Sequence, residues 1–269
     1  MAFKHGKDTK VYLNSANFST YFSNADATRT ADTAESTTFG NSNKTYVAGD
    51  KDGTVSLGGF FDATADATIQ PLLGGADLDF VMGIDGLDTG DSSTFGIGNF
   101  TNYGVSSPVG DIVATSVDMQ SDDGMWNGTV LTASAFTTTA AQGSAQDNTS
   151  STANGCGAFL IVTSVSGTSP TGDVKIQHSA DNVTYVDLIT FTQATAATSE
   201  IKNISSGTTI NRYIRVYNTI GGSSTPTINA IVGFGRNNLG ETIWHLYMVK
   251  IQYLNLIIQV DHLLTYQHM

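Results

Sequence analysis

The chain has 269 residues and a formal net charge of −12, and only 13% of its residues are charged, about half the usual globular share. Thr, Ser, Ala, Gly and Asn fill the gap, which favours extended β structure over helix, and four prolines are too few for a Pro-rich disordered chain. Cys156 is the only cysteine, which excludes an intrachain disulfide and fits assembly in a reducing cytoplasm.

The opening Met1-Ala2-Phe3-Lys4-His5-Gly6-Lys7 is basic and lacks the apolar run of a signal peptide. Residues 10–22 carry Val11, Leu13, Phe18 and Phe22 and predict a strand followed by a turn or second strand. Residues 25–38 alternate small and polar types with no convincing apolar face, so a strand there needs a neighbour's edge to be stable. Turn chemistry is expected at Phe39-Gly40-Asn41-Ser42-Asn43 and again at Gly49-Asp50-Lys51-Asp52-Gly53, with strands at 44–47 and 54–61. Asp62 or Thr64 is a good N-cap for a short helix that Pro71 and Gly74-Gly75 end. A strand over 78–84 precedes Asp85, Asp88 and Asp91, whose spacing does not fit a calcium loop and reads as an acidic hairpin. Strands are expected at 95–105, 109–120 and 125–136, the last two joined by an Asp122-Asp123-Gly124 hairpin turn.

Residues 137–154 have no large apolar side chain and read as a linker between two domains. Six strands follow between 158 and 234 at sandwich spacing. Two stretches there have a functional reading beside a structural one. The 178–185 segment is either a ligand-facing loop with Tyr185 beside it, as in sugar-binding sandwiches, or an Asp-Asn turn, and the turn is favoured. Arg212 and Arg215 flank Tyr213 and would suit nucleic acid, although solvated strand positions are commoner. Residues 237–269 change abruptly to an atypical apolar tail that Lys250 and Asp261 make too short to cross a membrane. No nucleophile, phosphate-loop or metal motif occurs, so neither an enzyme nor a cofactor is expected. A surface adhesin or carbohydrate-binding sandwich is the alternative reading.

Three blocks carry a resemblance: AFKHGKDTKVYLN, RTADTAESTTFG and KTYVAGDKDGTVSLGGFFD. In this order and spacing the sequence resembles the major tail protein, or tail tube subunit, of long-tailed bacteriophages of the siphophage type. The resemblance implies an all-β fold with one short helix: a β-sandwich or barrel tail-tube domain over 1–136, then an Ig-like or jelly-roll-like sandwich over 155–236. It implies a virion protein, built in the host cytoplasm, that forms stacked and typically hexameric rings with other tail proteins. Double-stranded DNA would pass through without specific binding, and no membrane is involved. Inter-ring or inter-subunit contacts are then expected from Arg29, Asp32, Glu35, Phe39, Lys44 and Tyr46. Thirteen aspartates and one basic residue, Lys51, lie between 50 and 123. An acidic wall repels the DNA backbone where a basic one would bind it. Asp77, Asp79, Asp85, Asp88, Asp91 and Asp118 are the candidates for the lumen.

Overall fold

A computed structural model describes residues 5–237 of the chain. Expectations for the tail beyond them fall outside the described residues. The strands are β1 (Lys10–Leu13), β2 (Ala16–Asn17), β3 (Phe22–Glu35), β4 (Tyr46–Phe60), β5 (Leu78–Gly83), β6 (Ser92–Ser106), β7 (Ala114–Phe136), β8 (Ala140–Asp147), β9 (Cys156–Ser179), β10 (Val186–Thr190), β11 (Thr198–Ile204) and β12 (Tyr213–Arg236). One short helix, α1 (Ala63–Ile69), interrupts them. The fold is all-β with one short helix, as expected. Asp62 caps α1 by accepting from the amides of Thr64 and Ala65, and a 3-10 turn containing Pro71 ends it.

All twelve strands hydrogen-bond into one antiparallel sheet, along the path β10-β9-β12-β7-β6-β5-β1-β2. β4 joins β7, β3 joins β4, β8 joins β12 and β11 joins β9. β7 is the spine. Its first part, 114–120, pairs with β4 on one side and β6 on the other, and its last part, 129–136, pairs with β12.

Four expectations change. Asp122-Asp123-Gly124 is not a hairpin turn: β7 runs through it as a bulge, with Asp123 and Gly124 at positive φ and left out between the Ile97–Asp122 and Gly96–Met125 pairs. Positive φ serves a bulge as well as a turn, and the pairing of β6 decides which. Gly49 to Gly53 is likewise no turn. It lies inside β4, with Gly49 and Asp50 set opposite Asp32. The segment 137–154 contains β8, which pairs with β12 from Tyr213 to Asn218. A strand edge recruits a neighbour through its backbone, so β8 needed no large apolar side chain. The strands expected separately in the second half also run together, because β9 and β12 pair with each other along nearly their whole length.

The core has three parts. Val11, Leu57, Ile69, Phe80, Val117 and Met119 fill the first, beneath β4 and β7. In the second, both halves of β9 and β12 face one interior: Leu160 and Val162 with Val174 and Ile176, Val216 with Val232. The long ribbon therefore folds over itself in sandwich fashion. The third part joins the two regions. Tyr12, Val81, Phe95 and Trp126 pack there on Phe159, Ile161 and Ile201, and the Phe95 and Phe159 rings meet edge-on at 4.9 Å.

Candidate functional site

The strands β3, β4, β7 and the distal half of β6 form a four-stranded sheet with a buried face and an open one. Side chains alternate across a strand. Val55 and Leu57 on β4, with Val117 and Met119 on β7, point into the core. The intervening Thr54, Ser56, Ser116, Asp118 and Gln120 lie on the other face, which β3 continues with Asn24, Asp26 and Thr28. Asp118 sits at its centre and accepts from Asn102 of β6 (2.9 Å) and Ser56 of β4 (2.7 Å). Those two bonds, Asn102's first, hold its carboxyl below the usual range. These positions include no Lys or Arg.

Among the described residues both edges of this sheet are open. β3 pairs with β4 alone, and β6 beyond Phe100 pairs with β7 alone. Unpaired strand edges are templates for another chain.

The β3–β4 hairpin also outruns the body. Its last tie is at Asp52 and Gly53, which both accept from the Gln120 side-chain amide (2.5 and 3.2 Å). Beyond that point β3 and β4 pair only with each other as far as Glu35 and Tyr46, roughly 20 Å of ribbon at 3.3 Å per residue. All six predicted contact residues lie on this hairpin and are exposed. Lys44 pairs with Glu35 at 2.9 Å, which lowers the Glu35 carboxyl. Phe39 at the tip is fully exposed, and Tyr46 and Val47 are more than half exposed. A two-stranded ribbon with apolar tips and no third strand is marginal by itself.

A second apolar patch lies at the other end of the same sheet, about 45–50 Å away along β4. It comprises Phe60, Val105, Val109 and Ile112, all more than half exposed. The amide of Phe61 donates to the carbonyl of Val113 and ties the 107–113 loop to the end of β4.

The lumen candidates are scattered. Only Asp118 lies on the open polar face. Asp79 is half-buried and accepts from Ser199 of β11 (2.6 Å), and burial raises its carboxyl. Asp85, Asp88 and Asp91 belong to the β5–β6 loop, where Asp91 accepts from the amide of Asp88 and its backbone pairs with Val130. Asp77 is exposed just before β5. Asp26 was missed. Its signal was the alternation of Asn24, Asp26 and Thr28 with Ala25 and Ala27, whose small side chains hid the buried face.

In the second region Arg212 is held by both carboxylate oxygens of Asp147 (2.6 Å each). Arg215 stacks over Tyr185 at 3.7 Å and lies 5.9 Å from Tyr217. Asp181 closes the 181–184 turn by accepting from the amides of Val183 and Thr184. Among the described residues no group of three or more His, Cys, Asp or Glu is placed to hold a metal, and no helix is long and apolar enough to cross a membrane.

No family model matches the chain, and no curated protein matches it. Solved structures do match. One is the tail of an empty gene transfer agent particle refined with C6 symmetry, at 15% identity and TM-score 0.38, over 46% of this chain and 97% of that chain. Another is the SPP1 tail tube, at 13% identity and TM-score 0.37, over 46% and 78%. Tail structures are thus among its neighbours. The SPP1 Dit protein, of the hub adsorption apparatus, matches at 10% identity and TM-score 0.36 over 84% of this chain and 98% of that chain. At these scores each overlay is loose.

Proposed function

We propose that the chain is a structural virion protein that polymerises as rings, stacked into a phage tail tube through which DNA passes. The observation that carries this reading is the four-stranded sheet with two open edges and one polar face free of Lys and Arg. Successive strands alternate in direction, so β3 and β6 at the two edges run oppositely. The β6 edge of one copy then meets the β3 edge of the next as an antiparallel pair, and the contact is heterologous, the kind that closes into a ring when the rotation between copies divides the circle. Six copies give a wall of roughly 24 strands, wider than the 16–18-stranded barrels that already hold an aqueous channel.

The core side of the sheet faces outward and the polar side faces the lumen. Asp26 and Asp118 put negative charge there, and a wall without cations offers the DNA backbone no counterion-releasing contact. The hairpin arm reaches the next ring, where its apolar tip meets the Phe60, Val105 and Ile112 end of a subunit above or below. The 1–136 region builds the tube and the 155–236 region decorates its outside. The test is electron microscopy of the purified chain, which should show rings or filaments with a central hole.

A second reading, a carbohydrate-binding face on the second region, is favoured by Tyr185, Arg215 and Tyr217, which meet on one side of the sheet. A monomer retained on polysaccharide would support it.

A further inference from the structure

The open edges of the four-stranded sheet carry more than backbone. A cavity of about 480 Å³ lies beside the root of β3. It is lined by Phe22, Ser23, Asn24 and Ala25 of β3, by Val11 of β1, and by the 3-10 turn that holds His5 and Lys7. Among the described residues β3 has no strand on its far side, so the cavity stands next to an unpaired edge. At the opposite edge the 107–113 loop, after β6, holds out Val109, fully exposed, and Ile112, 62% exposed.

Register places the two features at one level of the sheet. Phe22 is across from Gly59, Gly59 from Thr115, and Thr115 from Val105. Asn24 is likewise across from Gly58, Ser116 and then Gly104. When the β6 edge of one copy approaches the β3 edge of the next, the residues just past Val105 therefore arrive at the cavity. The cavity rim carries His5 and Lys7, whose ammonium pairs with Asp8 at 2.8 Å, and the loop carries Asp111, so the match rests on register and shape.

We infer that the 107–113 loop of one copy is the occupant of the cavity of its neighbour, with Val109 as the inserted side chain. This rests on the ring reading and adds the contact that fixes the register of the β6–β3 pair. A one-residue slip of a strand pair turns every side chain to the opposite face. A side chain seated in a cavity at the end of the pair prevents that slip.

The experiment mixes two variants of the full chain, Val109→Cys and Ser23→Cys, under mild oxidation. Cys156 is buried and its thiol is pushed up to about 12, so it does not compete. A disulfide needs Cα atoms within about 7 Å. The expected result is a covalent dimer from the mixture and none from either variant alone. Val109→Asp, folded by circular dichroism, should raise the concentration needed for assembly at least about tenfold, since an apolar contact is replaced by a charge. Rings that form without the mixed disulfide, and whose assembly Val109→Asp leaves unchanged, overturn the inference and leave the ring reading standing. Wild-type chain that forms no rings overturns both.

Discussion

Trp126 on β7 packs its five-membered ring directly over Gly157 on β9. A Cβ added to Gly157 would come within 2.6 to 2.8 Å of three ring atoms. The contact lies in the core shared by the two regions, where there is no room for even a methyl group. Gly157→Ala should destabilise the chain by about 1–3 kcal/mol, the usual penalty for overpacking. Urea titration followed by tryptophan fluorescence measures it, and an unchanged midpoint would show that the joint is loose.

Asp79 supplies a pH test of the same joint. Burial raises its carboxyl above the ordinary 3.8, against the opposing bond from Ser199. A carboxyl raised in the folded state gives a stabilising contribution that is full below the unfolded pKa and is lost as pH rises through the folded pKa. Asp79→Asn keeps an oxygen for Ser199 and does not ionise. Its urea midpoint, relative to the parent, should therefore rise between acid and neutral pH. A difference that stays flat would mean the carboxylate is solvated.

Asp147 has the opposite sign. The Arg212 fork, helped by the amide of Thr149, lowers its carboxyl to about 2. Its contribution is present above the unfolded pKa and disappears only as pH falls through about 2. Side-chain carbon NMR should place the Asp147 midpoint near 2, and Arg212→Ala should move it upward and speed amide exchange in β8. An unmoved midpoint in the variant would assign the shift to the backbone alone.

If Asp26 and Asp118 line the lumen, reversing both to Lys should slow DNA ejection or leave it incomplete. Asp26 is exposed, but Asp118 is only partly so and gives up its bonds from Asn102 and Ser56, so the double variant should also lose some folded stability. Ejection followed by dye fluorescence, with a melt of the same variant, separates the two effects. Unchanged ejection kinetics would remove these residues from the lumen.

Much of the fold was legible because its signals are local. Asp62 capped a helix as its side chain predicts, and Val55, Leu57, Val117 and Met119 alternate as a half-buried strand must. What failed depended on a neighbour. Gly49 to Gly53 and Asp122 to Gly124 have turn composition, yet each lies in a long strand because β3 and β6 continue past it. β8 is invisible in a stretch of Thr, Ala, Ser and Gln, since only the edge of β12 makes it a strand. Among the candidate residues, the six of the hairpin lie on one element because they are neighbours in sequence. The acidic candidates are scattered, because which face an aspartate occupies follows from register, and composition does not give it.

Within the described residues no single copy closes its own sheet. Cryo-electron microscopy of the wild-type chain at high concentration tests this most directly. It should show an annulus in which the β6 edge of each copy, from Thr101 to Ser106, hydrogen-bonds to β3 of the next, with Asp26 and Asp118 facing the hole. A dispersed single copy, or an assembly in which the β3 edge stays in solvent, would contradict it.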